Sequence, residues 1–177
     1  MEIDIGLNNP LDLLKKAERE KERLFKAGQS FDQAVFADHL FNFAVTMHHL
    51  GDWVVRSDSG PITKENVLDL VSSDKTLQAC KDICNSVKHF KIDRYEPTTD
   101  KVRTSTLSIA GTISAGSSVH GPMGVISNDS DKPKEYEYDE INLSITMSDG
   151  EIFDLNDFCG KAISTWSEFL ERHGNAT

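Results

Sequence analysis

Apolar residues recur at helical spacing through the first part of the chain and at every second position in much of the later part. The first helix begins at Pro10. Asn9 suits the N-cap, and proline suits the first helical position, where a missing N–H costs nothing. Leu14, Ala17, Leu24 and Phe25 make a thin apolar stripe, KKAEREKERLFK places one face in water, and Gly28 supplies the stop. Ser30 and Gln33 form an S-x-x-Q capping box for a second helix from about Phe31 to Val55. Val35, Phe36, Ala37, Leu40, Phe41, Phe43, Ala44, Met47, Leu50 and Val54 cover most of its circumference, which predicts a central, buried helix. One strip departs from this: Asp38, Asn42, His49 and Asp52 share a side, with His39 and Thr46 at its margin. Gly51 inside the helix costs ~1 kcal/mol relative to alanine, and either allows close packing or marks a kink.

Gly60-Pro61 breaks the chain, and Thr63 caps a short helix to about Val71. Ser73 or Asp74 then caps a helix from Lys75 to about Lys91. Its apolar stripe is Leu77, Cys80, Ile83, Cys84 and Val87, with Gln78, Asp82, Asn85 and His89 on the opposite side. Pro97 stops helix soon after. The period changes to two at Thr104–Ile113, a half-buried strand. Glycines punctuate a loop-rich region to Ile126, and NDSDKPKE is polar and turn-like. Ile141, Leu143, Ile145 and Met147 alternate with polar neighbours, and Asp149-Gly150 turns that strand into Glu151–Phe153. Asp154 caps the last helix, whose apolar face is Phe158, Cys159, Ala162, Ile163, Trp166 and Leu170. The pattern predicts one α+β domain. Residues 10–95 form a helical core, residues 101–154 a small antiparallel sheet, and residues 155–173 a helix that returns to the core.

Composition narrows the function classes. The chain has 177 residues, a formal net charge of −10 and a pI near 5.0. Broad electrostatic binding to RNA or an anionic membrane needs a basic surface, so both are disfavoured. The densest local basic run is Lys88, Lys91, Arg94, Lys101 and Arg103. No stretch approaches the ~20 apolar residues of a membrane span, and the acidic N-terminus lacks the features of a signal peptide. Three cysteines do not complete a disulfide framework. These features predict a cytoplasmic protein without a membrane partner.

Candidate chemistry is sparse. His48 and Asp52 are one helical turn apart, as are Cys80 and Cys84, a spacing that suits zinc. Both cysteines lie on an apolar stripe, however, and neither C-x-x-C nor H-E-x-x-H occurs, so no metal or cofactor is expected. Cys84 and His89 fall on different sides of their helix, Cys159 belongs to a core face, and no G-x-S-x-G elbow is present. GTISAGSSVHGPMG lacks the Lys-Ser/Thr ending of a phosphate loop. The polar strips remain. They either satisfy one another, lie in solvent, or line a groove or subunit interface. In the functional reading His49 and His89, which titrate near neutrality, face a shared cleft with Asp52 and Lys88. Asn85 joins them there, and Asp38, Asn42 and Asp52 are binding candidates.

Asn85-Ser-Val-Lys88-His89-Phe90 follows a long helix that ends in H-H-x-x-D-W, and the chain closes with Asp149-Gly150 and Trp166-Ser-Glu-Phe-Leu170. This combination resembles a group of small bacterial proteins whose helical part is similar to the HEPN fold, a four- or five-helix bundle that usually dimerises. The resemblance covers about residues 30–95 and 140–172. It implies a homodimer. In the catalytic members an arginine stands five to seven residues before a histidine, and the pair cuts RNA at the dimer cleft without metal. His89 matches that histidine, and Asn85 sits where a polar residue often follows the arginine. Cys84 holds the arginine's place, and none of the six histidines has an arginine at that spacing. Lys88 offers a cation without the planar fork. The leading expectation is a dimeric interaction or binding module without catalysis. The alternatives are a HEPN-like ribonuclease or small-ligand enzyme using His89, Lys88, Asn85 and His49, and a zinc-binding protein using His48, Asp52, Cys80 and Cys84.

Overall fold

The computed structural model describes residues 6–30, 32–57, 62–89, 94–121 and 124–174. Helix α1 (Pro10–Gln29) and helix α2 (Gln33–Arg56) are followed by the short α3 (Lys64–Ser73) and by α4 (Lys75–His89). Strands β1 (Thr99–Ile113), β2 (Ser118–Gly121), β3 (Gly124–Ser127), β4 (Lys134–Met147) and β5 (Ile152–Asp154) come next, and α5 (Leu155–Gly174) closes the chain. Among the described residues no helix is long and apolar enough to cross a membrane.

The first two helices form an antiparallel hairpin. Asn9 caps α1 by accepting the Asp12 amide at 3.0 Å, and Asp32 caps α2 by accepting that of Val35 at 3.0 Å. Lys16 donates to Thr46 and His39 meets Glu20 across the pair, pinning its register. Leu24, Phe36, Phe43, Ala44, Met47 and Leu50 are all buried between these helices, α4 and α5. Phe158 of α5 meets Phe43 edge-on at 5.7 Å, which packs the last helix against α2. Asp74 joins three elements: it caps α4 by accepting the Leu77 amide, and its other oxygen accepts the Thr165 hydroxyl of α5 at 2.8 Å.

The larger sheet is antiparallel, in the order β1-β4-β5. Ile141, Leu143, Ile145 and Met147 alternate inward from β4, with Phe153 of β5 beside them. Strand β5 pairs only with Ser144–Thr146. Beyond that point β1 and β4 continue alone as a two-stranded ribbon, which ends in the register pair Ile113–Lys134. Gly111 faces Tyr136 in this ribbon, and an added Cβ would lie 2.7 Å from the Tyr136 hydroxyl, so the ring lies over the glycine.

Several sequence expectations change. Gly28 does not end α1. It is buried within the helix against Phe36 and the Ile141 carbonyl, and Ser30 is the C-cap. The capping box at Ser30 does not form: its hydroxyl donates back to Ala27, and Asp32 takes the cap. Phe31 lies outside the described residues. Helix α2 is not buried all round, because Val35, Ala37, Asp38, Asn42, His49 and Asp52 are exposed. Helix α4 is described only to His89, and Phe90 and Lys91 lie outside the described residues. Both strands of the ribbon are longer than their alternation suggested, since charged and small residues continue the pairing after one face leaves the core. The glycine-rich region contains the β2–β3 hairpin. Asn128, in the polar turn, is buried, and its amide donates to the carbonyls of Ile113 and Lys132.

Candidate functional site

A cleft of about 600 Å³ opens where α2, α3, α4 and the segment leading into β1 converge. Val55, Val67, Leu68 and Val71 supply apolar wall. His48 and Asp52 reach it from α2, Lys64 and Asp69 from α3, Lys81 and Asp82 from α4, and Tyr95 and Glu96 from the following segment. Gly51 lets α3 come close to α2: an added Cβ would lie 2.8 Å from Val67 Cγ1 and 3.6 Å from the Trp166 ring. Close packing, rather than a kink, is what this glycine provides.

Asp82 builds the far wall. Its side chain is buried, and Oδ1 accepts the Tyr95 hydroxyl at 2.8 Å. Oδ2 accepts the amides of Thr98 and Thr99, both at 2.9 Å, and the Thr98 hydroxyl at 3.0 Å. Asn85 donates to the Tyr95 oxygen at 3.0 Å, so one turn of α4 holds the entry to β1. Lys81 lies 4.3 Å from the centre of the Tyr95 ring, a cation–π distance. Burial is the main reason that the Tyr95 phenol is pushed up to about 12; the Asp82 hydrogen bond adds to this and the one from Asn85 opposes it.

His48 has a perturbed environment. Burial lowers its pKa most; His49, Lys81 and Lys88 lower it further, and Asp52 opposes them. The His48 and His49 rings meet edge-on at 5.7 Å. Among the described residues His48 makes no hydrogen bond, and Lys81 makes neither a hydrogen bond nor an ion pair.

The other proposed residues are dispersed. His49 lines a separate recess of about 400 Å³ with Pro10, Trp53 and Arg56, and Asp52 touches both cavities. Asp38 and Asn42 stand on the exposed face of α2, and Lys88 is exposed on α4. Asn85 is committed to Tyr95. The side chain of His89 lies outside those described. The two polar strips do not pair with each other among the described residues: the α2 strip is mainly solvated, whereas on α4 Asp82 and Asn85 bind the Tyr95–Thr99 segment.

Cys80, Cys84 and Cys159 are unpaired and buried. Burial raises all three thiols, Cys80 well above its ordinary value and Cys159 to about 12, which keeps them protonated and poorly nucleophilic at neutral pH. No group of three His, Cys, Asp or Glu side chains is placed to hold a metal ion among the described residues. Sequence reasoning missed Asp82 as a buried anchor, because its partners lie 13 to 17 residues ahead and across a break in helical structure. The wall formed by α3 was equally hidden; a buried-spacing pair at Val67 and Val71 was the available signal. No family model, curated protein or solved structure matches the chain.

Proposed function

We propose that the chain is a HEPN-like, homodimeric binding module of the bacterial cytoplasm, and that its cleft holds an amphipathic ligand. The observation that carries this reading is the pairing of an apolar wall with polar groups held only by ring contacts, His48 against His49 and Lys81 over Tyr95. Val55, Val67, Leu68 and Val71 line the cleft together with His48 and Lys81, which have neither hydrogen-bond nor ion-pair partners among the described residues. A concave apolar surface with a few convergent polar groups is the usual form of a ligand site. Leu68 is 56% exposed there, which leaves apolar surface for a ligand to cover. Asp52, Asp69 and Glu96 oppose Lys64 and Lys81, so the rim carries both signs rather than a field selective for polyanions. The helices α1, α2, α4 and α5 around one core support the bundle assignment, and three unpaired thiols support a reducing compartment.

Binding is favoured over catalysis because, among the described residues, the His48 ring bonds to no hydroxyl or thiol, and the thiols are buried. A two-dimensional NMR screen of the full chain with a library of amphipathic fragments tests this reading. Hits are expected to shift the resonances of His48, Leu68 and Lys81, and Leu68→Glu should abolish them. Hits that cluster elsewhere, or none in this cleft, would sink the assignment.

A further inference from the structure

We infer that the open edge of β1 is the seam of the homodimer, where it pairs antiparallel with β1 of a second copy. This assignment rests on the dimer reading above and names the surface for it.

Strand β1 has 15 residues and pairs on one side only, with β4; its other edge has no strand beside it among the described residues. Folded proteins usually blunt such an edge with lysines, proline, a bulge or a covering element. Here the only irregularity lies at the base, between Thr99 and Lys101. From Thr104 to Ile113 the edge has no charge and no proline. Ten consecutive uncharged residues on an open edge are a template for strand addition.

The surroundings favour a second copy as the added strand. Val102, Thr104 and Thr106 share a sheet face with Ile145, Leu143 and Ile141, yet those three β4 residues are buried while the β1 residues are exposed. The helical layer therefore covers β4 and stops short of β1. A groove of about 290 Å³ remains between α4 and β1, lined by Ile83, Ser86 and Val102. Nearby, Val87 of α4 is 60% exposed and Val102 is 41% exposed. A strand added at the edge would place alternate side chains on this surface, and the small residues of β1 itself suit the space.

Charge selects the direction. Lys101 and Arg103 outnumber Asp100 at the base of β1, where Asp100 pairs with Lys101, whereas Glu135, Glu137 and Asp139 outnumber Lys134 on β4 along the far half of the ribbon. Antiparallel association about a two-fold axis brings the basic base of each copy toward the acidic far half of the other. It also keeps the like-charged ends apart, which matters for a chain of net charge −10. A seam over the uncharged Thr104–Ile113 edge runs roughly 33 Å at ~3.3 Å per residue. At about 10 Å in width per copy it buries on the order of 700 Å², the size of a weak, concentration-dependent interface.

The test uses sedimentation of the full chain over a wide concentration range, with Thr104→Lys/Thr106→Lys as the variant. Both threonines are exposed, so the monomer fold should tolerate lysine, checked by circular dichroism and thermal midpoint. The wild type is expected to be a dimer, and the variant to dissociate at least ten-fold more readily. A variant that dimerises like the wild type overturns the seam but leaves the dimer reading standing. A wild type that stays monomeric at hundreds of micromolar removes both. Should the variant not fold, hydrogen exchange of the wild type decides instead. The Thr104–Ile113 amides that do not bond to β4 should be protected at high concentration and exchange freely on dilution; fast exchange at both concentrations overturns the seam.

Discussion

The Asp82 carboxylate accepts the Tyr95 hydroxyl at 2.8 Å while its other oxygen holds the amides of Thr98 and Thr99. One buried side chain thus fixes the direction in which the chain leaves the helical bundle and enters the sheet. The wall of the cleft depends on the same contact, because Tyr95 and Asp82 both line it.

Asp82→Ala removes the acceptor of four hydrogen bonds and leaves two amides seeking partners. A loss of ~3 kcal/mol is expected, read from the shift of a urea denaturation midpoint. Tyr95→Phe removes one bond to the same carboxylate and should lose ~1 kcal/mol. Equal, negligible losses for both would show that the clasp does not hold the junction.

The Tyr95 phenol ionises late, at about 12, chiefly because of burial. Its folded pKa is raised above the ordinary value of 10.0. Stability from the neutral phenol is therefore complete below pH 10 and is lost as pH rises from there through about 12. Absorbance at 295 nm should show a late phenolate step near pH 12, and Tyr95→Phe should delete that step.

His48 is held below its ordinary pKa of 6.5, first by burial and then by His49, with Asp52 opposing. For a depressed histidine the folded state resists protonation. Its contribution to stability is present above pH 6.5 and is lost as pH falls through the folded value. Asp52→Asn should lower the His48 pKa further and His49→Gln should raise it, both followed by NMR titration of the ring protons. Opposite signs would refute the electrostatic picture of the cleft.

Gly51→Ala tests the close approach of α3. Alanine gains ~1 kcal/mol of helix propensity, but its methyl would meet Val67 Cγ1 at 2.8 Å. Overpacking of this kind costs about 1–3 kcal/mol, so a net loss of ~1 kcal/mol is expected by thermal denaturation. The same substitution in a Val67→Ala background should be neutral or stabilising relative to that background.

Glu20 is buried between α1 and α2 with Lys16, Arg23 and His39 around it. Burial raises its pKa most, but the His39 hydrogen bond and the three positive neighbours together outweigh that, and the net direction is down from 4.5. Stability from the carboxylate is present above pH 4.5 and is lost as pH falls through the lowered value. Glu20→Gln should destabilise the protein by ~2 kcal/mol at pH 7, and the difference from the wild type should shrink in acid.

The helix starts at Asn9, Thr63 and Asp154 were legible because a cap acts within three residues of itself, and the structure chose Asp74 over Ser73 for α4. The turn at Gly150 was legible for the same reason: its φ of 90° suits glycine. The N-cap expected at Ser30 lost to Asp32 two residues on, a competition between neighbours that only the chain path settles. Cys80, Cys84 and Cys159 were placed correctly in the core by their apolar stripes.

The site was far less legible. Asp38, Asn42, His49 and Asp52 were grouped by helical angle, yet angle on one helix does not say whether a neighbour covers that side. Nothing covers most of it. Asp82 had the opposite fate: it stands opposite an apolar stripe but is buried, because the Tyr95–Thr99 segment folds back onto it.

Local order, then, was largely written in the sequence: which segments are helix, where the core-facing parts of β1, β4 and β5 lie, where most helices begin, and which faces are apolar. These follow from backbone sterics, capping and side-chain period, all of which act over a few residues. Tertiary structure alone decided that α3 walls a cleft against α2, that His48 rather than His49 faces it, and that β1 leaves its edge open. Those outcomes depend on which distant surfaces meet, and no periodicity within a single element encodes its neighbour.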